Sequence, residues 1–406
     1  VSTSYKVAIN NGFGQFHLAR LAENLEAAGS LEVFLTGAYP KGGFSAALAK
    51  SQVPAIGRLG ARKIDVPDKK IRSFWFGEGP HQLAQYTRHH GFSELSELST
   101  GLALSSYQKF ASHSLRSSSA DIYHYRAGMG GPSVAVAKRN GAVAICDHSI
   151  VHPRVLQGLI AGTGETAQNL SQLWRRVEAD MEQADHLLVN SDFVAETCIA
   201  VGIDAARISV AYTGVDPLFL QQLDLAQHFT RWSNPRVLFA GTLERRKGTD
   251  VAIAAAKVTS GSHLPWLFMG NWEPDSRHLE TEIGGYIGHT PRANRHGLAS
   301  AMASSAMFVF PTRAEGSARV VAEALCAGCY VITTKNAGSI VRDGIDGRIV
   351  SVGDSMGIES AIAEYLALGV EERAERSLRT KTYARSRLNE LEYSSSVANA
   401  YAAAQK

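Results

Sequence analysis

Strand-like and helix-like segments alternate along nearly the whole chain, and that alternation restarts once. "KVAIN" reads as a short buried strand. The glycine loop "NGFGQF" follows it, and then the helical pattern "HLARLAENLEAAG", which stops at Gly29. "LEVFLTG", "DIYHY", "AVAICDH" and "HLLVNS" continue the series. After residue 216 the rhythm begins again with "RVLFAGT", "DVAIAAAKVT", "PWLFMGN", "MFVFPT", "VVAEALCAG" and "YVITTK". A helix between two strands carries the chain back across the sheet face, so neighbouring strands run parallel. At 406 residues the chain exceeds what one core supports. The reading is therefore α/β with two Rossmann-like, doubly wound parallel-sheet domains facing a cleft. The expected domains are residues 1–213, 214–385 and a final helix 386–406 that packs back across the junction.

Parallel sheets collect ligands beyond the carboxyl ends of their strands, so the loops there hold the candidate chemistry. Gly12 and Gly14, in "GFG", let a phosphate or sugar approach the backbone and the following helix start. A tight turn explains the same glycines, and His17 breaks the G-x-G-x-x-G spacing of a dinucleotide site. "GTLERRKG", residues 241–248, places Arg246 and Lys247 at a sheet mouth, where an arginine fork and a lysine point charge suit a diphosphate. An ordinary charged loop is the alternative.

"PTRAEGSARVVAEALCAG", residues 311–328, sets Glu315 and Glu323 in a run of apolar and small residues. Eight helical residues rise about 12 Å and turn a side chain only about 80° from its starting direction. On that reading the two carboxylates reach opposite ends of one elongated ligand; a helix starts near Ser317, with Glu315 before it and Glu323 near its second turn. A helix-capping acid plus one surface glutamate is the alternative, and it explains Glu323 poorly.

Composition narrows the classes. Residues 1–150 hold 16 Lys and Arg against 10 Asp and Glu. The excess gathers in "RLGARKIDVPDKKIRSFWFG", residues 58–77, beside Phe74, Trp75 and Phe76, a combination an anionic membrane surface attracts. A solvated basic surface is the plainer account. No apolar run is long enough to span a bilayer. The first residues enter a strand pattern directly, which reads as no signal peptide. Cys326 and Cys329 form a lone C-x-x-C without a second pair, and four cysteines in all fit small buried thiols in a reducing, cytoplasmic setting. There is no D-x-D and no Walker-type phosphate loop, so the expectation is no metal and no cofactor, and no nucleic-acid partner.

These motifs together resemble the family 4 retaining glycosyltransferases of the GT-B fold. Their hallmark is two glutamates separated by seven residues, as in Glu315 and Glu323. "ADHLLVNSDFVAETCIAVGIDAARISVAYTGVDPLF" is similar to the family's interdomain segment, "GTLERRKGTD" to its diphosphate loop and "VRDGIDGRIV" to its later glycine turn. The resemblance is close over residues 184–365 and loose before them. It implies Glu323 as the ribose contact and Glu315 as the donor-sugar contact. It also implies backbone amides of Gly316, Ser317, Ala318 and Arg319 near the sugar and phosphates. Gly241, Thr242, Arg246 and Lys247 would then face the diphosphate. A histidine after a central strand is implied near the reacting sugar, with His148 first and His124 and His152 as rivals. Two positions depart: Thr242 replaces a phosphate-binding arginine and Ser339 a glutamate.

The implied reaction moves a hexose from a nucleotide diphosphate sugar to a hydroxyl of a glycan or lipid-linked acceptor, with retention and without metal. A nucleotide-sugar epimerase or hydrolase of the same fold would turn over donor without acceptor. A silent binding subunit would bind nucleotide without transfer.

Overall fold

The computed structural model describes residues 5–14, 17–41, 62–89, 92–226 and 229–405. Residues 58–61 of the basic stretch lie outside that set. Two parallel sheets form, as the alternation predicts. The first joins β1 (Val7–Gly12), β2 (Leu31–Thr36), β3 (Ile71–Ser73), β4 (Ile122–Arg126), β5 (Val143–His148), β6 (His186–Val189) and β7 (Ile208–Val210) in the order β3-β2-β1-β4-β5-β6-β7. The second joins β8 (Val237–Ala240), β9 (Trp266–Met269), β10 (Ile287–Thr290), β11 (Met307–Phe310), β12 (Tyr330–Thr334) and β13 (Gly347–Val350) in the order β10-β9-β8-β11-β12-β13.

Each order reverses once, between β1 and β4 and between β8 and β11. Helices leave on opposite faces at such a point, and a crevice opens where their loops part. The glycine loop follows β1, "GTLERRKG" follows β8 and "PTRAEGSA" follows β11. The fold therefore carries all three candidate loops to the two crevices.

Strand alternation sorts the first sheet's side chains onto two faces. Tyr123, Tyr125, Ala144 and Cys146 pack with the helix Ser93–Ser114 on one face. Ile9, Ile122 and Ile145 pack on the other with Leu18, Leu21 and Leu25 of the helix His17–Ala27. The last helix, Glu390–Ala404, crosses to that second face and buries Tyr393, Val397, Ala400 and Tyr401 there. The helix before it, Val370–Arg387, stays on the second sheet, where Ala384 and Leu388 are core residues. Asn389 caps the crossing by accepting from Glu392 N–H at 3.0 Å.

The sheets meet at a small apolar seal of Val151, Leu156, Phe193 and Ala314. Beside it Ser191 Oγ donates to the Gly316 carbonyl at 2.5 Å. A Cβ on Gly316 would lie 2.0 Å from the Ser149 carbonyl, so only glycine admits this approach.

The C-x-x-C is two thiols of core packing rather than a reactive pair. Cys326 and Cys329 are free and buried, and burial pushes their thiols up to about 12 and about 11.

Candidate active site

The two glutamates fall as expected, one before a helix and one on it, but the eight-residue helical spacing between them fails. The helix runs Arg319–Ala327 with Ala318 at its cap, so Glu315 is on the preceding loop and the helical-spacing argument does not apply to it. Its position comes from sheet order instead. Because β11 neighbours β8, the loop after β11 lies against "ERRK". Arg246 donates to Glu315 Oε1 at 2.9 Å, to Glu244 Oε1 at 2.7 Å and to the Ala314 carbonyl at 2.7 Å. Lys247 Nζ stands 4.0 Å from Glu315 Oε1, and it would lie 3.5 Å from a Cβ placed on Gly241, whose φ of 144° only glycine tolerates readily. Arg246 is thus engaged by two carboxylates, while Lys247 is the looser cation. Thr242 beside them is half-buried.

Glu323 does lie on the helix, in its second turn, and faces inward at 1% exposure. Its Oε1 accepts from Arg295 at 2.6 Å, and Arg295 also stacks over Phe219 at 4.1 Å. Its Oε2 is buried with no partner among the described residues. Burial raises the Glu323 carboxyl above the usual range, and Arg295 pulls the other way. An unpaired buried carboxylate oxygen is costly to maintain unless a ligand hydroxyl satisfies it.

Between the domains lies a cavity of about 450 Å³. His17 and Arg20 line it from the first domain, Arg292, Arg295, Ser317 and Arg319 from the second, and Glu390 and Tyr393 from the last helix. Asp216 lines it as well as Glu390, and Arg292 and Arg319 have no acidic side chain within ion-pair distance among the described residues, so these two arginines are available to an anion. Another cavity, of about 380 Å³, is more apolar, but it lies under Arg231 and Leu378 where Arg231 binds the Ser305 and Ala327 carbonyls. Those atoms precede β11 and β12, at the sheet edge opposite the loops. The interdomain cavity is therefore the better candidate.

The glycine loop contributes unevenly. A Cβ at Gly12 would fall 2.6 Å from Met129, so this glycine serves packing. Gly14, at φ 79°, has open space around it and its carbonyl accepts from Asn11 at 2.9 Å. Gly316 is buried at the domain seal, Ala318 is buried beside it, and Ser317 and Arg319 reach the cavity.

Strand parity separates His148 from His124, and the buried His148 Nε2 has no partner among the described residues. His148 is buried, does not line the cavity, and burial with His152 nearby pushes its imidazole down to about 4. His152 is buried as a helix cap, accepting from Arg154 N–H at 3.3 Å. Asp147, one residue before His148, points to the opposite face, where His17 Nε2 sits 2.8 Å from its Oδ2 and His124 Nε2 3.4 Å. Burial opposes ionisation of Asp147, yet the two imidazoles outweigh it and hold the carboxyl well below the usual range. Sequence reasoning met His17 only as a break in the glycine spacing, and missed Asp147, Arg292 and Arg295. Proximity of His17 to the glycine loop was the available signal.

Comparison with known proteins bears on the family and the fold. Residues 15–218, half of the chain, match the model of Glycosyltransferase Family 4, and residues 234–367 match that of Glycosyl transferases group 1. Over 202 residues, 48% of this chain and 56% of the relative, the sequence is 28% identical to the lipopolysaccharide core biosynthesis glycosyltransferase LpsE of Rhizobium meliloti. Over 189 residues, 41% of this chain and 45% of the relative, it is 29% identical to D-inositol 3-phosphate glycosyltransferase 1 of Catenulispora acidiphila. The chain thus spans about half the length of the curated relatives it matches. In fold it resembles Anabaena Alr3699/HepE, solved in complex with UDP and glucose, at TM-score 0.62 and 15% identity over 98% of this chain and 99% of that one. It also resembles sucrose-phosphate synthase of Thermosynechococcus elongatus, at TM-score 0.63 and 15% identity over 98% of each chain. These likenesses show the GT-B fold. With a family model over half of its length and a second glycosyltransferase model over the other sheet, the chain belongs to glycosyltransferase family 4.

Proposed function

We propose that this glycosyltransferase moves a hexose from a nucleotide diphosphate sugar to a hydroxyl of a glycan or lipid-linked acceptor, retaining configuration. The observation that carries the reading is Glu323, whose Oε2 is buried without a partner among the described residues while its other oxygen holds Arg295, a residue of the arginine-lined interdomain cavity. In this reading the ribose diol donates to Glu323, the diphosphate lies among Arg292, Arg319 and Lys247, and the hexose reaches Glu315. A nucleotide sugar has that sequence of groups: hexose, diphosphate, ribose. The solved relative in complex with UDP and glucose supports a donor of this class.

Transfer is then chiefly positioning and electrostatic stabilisation of the departing diphosphate. Lys247, loosely held, supplies charge at once, whereas Arg246 exchanges Glu315 for phosphate. The cations take the part that a bound metal plays elsewhere, and no cofactor is invoked. The acceptor enters from the first domain. Trp75 and Phe76 are exposed there, as are Lys63, Lys69 and Arg72, so this face rests peripherally on an anionic membrane in a reducing, cytoplasmic setting. No described helix is long and apolar enough to cross a membrane.

Calorimetric titration of a nucleotide diphosphate sugar panel, followed by transfer assays with and without chelator, tests the reading. Binding and chelator-resistant transfer are expected. Lys247→Ala lowers transfer by roughly 30- to 1000-fold, since a charge-assisted contact to a leaving group is worth about 2–4 kcal/mol. Donor turnover without any acceptor, binding without transfer, or activity restored only by magnesium or manganese each contradicts a named part.

A further inference from the structure

Behind His17 a buried polar chain runs from the cleft to the last helix of the protein. His17 Nε2 contacts Asp147 Oδ2 at 2.8 Å, Asp147 Oδ2 lies 3.4 Å from His124 Nε2, within ion-pair reach though not in a formed hydrogen bond, and His124 Nδ1 meets Tyr401 Oη at 2.9 Å. Three of the four groups are sealed: His124 and Tyr401 are 0% exposed and Asp147 4%. Only His17 reaches the cavity.

The arrangement follows from register. His124 on β4 pairs with Ile145 on β5, and Asp147 is two residues further along the same strand. Side chains two apart share a face, so His124 and Asp147 point to the side that the first and last helices cover. The first helix brings His17 and the last brings Tyr401. The rings also pack edge to face, His124 on Tyr401 at 5.7 Å and His17 on Tyr393 at 6.0 Å. Tyr393 lines the cavity, and its Oη is buried without a partner among the described residues.

Stability alone does not account for this chain. Replacing a buried charged set with well-packed apolar groups is often neutral or stabilising, and the surrounding face is already apolar. We infer that Tyr401, His124 and Asp147 are positioning residues that hold His17 against the reacting sugars, making the last helix part of the transfer apparatus. The phenol donates to His124 Nδ1, which leaves Nε2–H facing Asp147 and fixes the tautomer. Asp147 then fixes the His17 ring as it lines the cleft. His17 hydrogen-bonds a sugar hydroxyl, with Tyr393 Oη beside it as a second contact. This inference rests on the glycosyl-transfer reading for the identity of the ligand, though not for the coupling itself.

The test uses the full chain and the variants His17→Gln, Asp147→Asn and Tyr401→Phe, the last removing a single hydroxyl while keeping the ring. UDP binding is measured by calorimetry. Nucleotide release from UDP-, GDP-, ADP- and dTDP-hexoses is measured with sugar acceptors, and imidazole nitrogens are observed by NMR. His17→Gln and Asp147→Asn are expected to lower kcat by roughly 10- to 100-fold, the scale of a misplaced contact. Tyr401→Phe is expected to lower it about fivefold, one hydrogen bond's worth, and to move the His17 nitrogen signals. Nucleotide affinity stays within about twofold of the parent. A Tyr401→Phe protein with a lower melting midpoint but parental kcat and unmoved His17 signals has lost only packing, and the inference is overturned. If the parent binds no nucleotide and releases none, the glycosyl-transfer reading falls; the NMR comparison still decides the coupling.

Discussion

Glu323→Gln separates a ligand contact from a structural ion pair. The carboxylate is 1% exposed, with one oxygen 2.6 Å from Arg295 and the other unpartnered. In the empty protein, removing the charge loses the Arg295 pair but relieves the desolvation of a buried ion. These terms are each several kcal/mol and oppose one another, so the net change in stability is on the order of 1–2 kcal/mol either way. Arg295 keeps its seat over Phe219. Binding is where the change shows. A ribose diol donating to an ionised, buried acceptor makes a charge-assisted contact of about 1.5–3 kcal/mol. At about 1.4 kcal/mol per tenfold, its loss weakens free UDP roughly 10- to 100-fold. The ribose is remote from the reacting bond, so KM rises while kcat at saturation stays near the parent value. Glu315→Gln should do the reverse, lowering kcat more than nucleotide affinity, because the hexose moves during transfer. Calorimetry with UDP and saturation kinetics on both variants read this split. Parental UDP affinity in Glu323→Gln refutes the ribose assignment, and identical profiles for both variants refute the two-ended grip.

Other expectations follow from single features. Gly316→Ala drives a Cβ to 2.0 Å from the Ser149 carbonyl and strains the Ser191 hydrogen bond, so the domain seal opens. Transfer should fall more than nucleotide binding, and an unchanged small-angle scattering profile with full turnover would show the seal to be dispensable. The His148 imidazole, pushed down to about 4 by burial and by His152, takes its proton at about 6.5 once unfolded. Between those values the unfolded chain binds the extra proton. Stability is therefore complete above about pH 6.5 and falls as pH drops toward 4, by up to about 3 kcal/mol. His148→Gln should flatten that slope in melting midpoints taken against pH, and parallel curves would remove His148 as its source. Exposed Trp75 and Phe76 beside Lys63, Lys69 and Arg72 should draw the protein to anionic vesicles, with co-sedimentation weakening as salt rises. Equal binding to neutral vesicles, or none to either, counts against the membrane face.

The alternation of short apolar strands with helical patterns, and its restart after residue 216, determined two parallel sheets without any tertiary information. Strand and helix periods are local, and parallel connection is enforced by chain geometry. The same locality made the loops after β1, β8 and β11 readable as ligand loops, since a strand's carboxyl end is known once its direction is. Glu315 and Glu323 were legible as a pair of unusual acids, but helical spacing does not join them, because Glu315 precedes the helix. Sheet order, which brings β11 beside β8, is what sets Glu315 against Arg246. Burial decided the rest. The residue type at 323 does not reveal that one oxygen is paired and the other empty, because that depends on Arg295 arriving from 28 residues away. His148 and Asp147 are neighbours in sequence, and strand parity sends them to opposite faces, both buried, with Asp147 on the face where His17 meets it. The chain from His17 to Tyr401 joins segments that only the packing of the first and last helices on one sheet face brings together. Such contacts carry no local periodicity, so tertiary structure alone could place them.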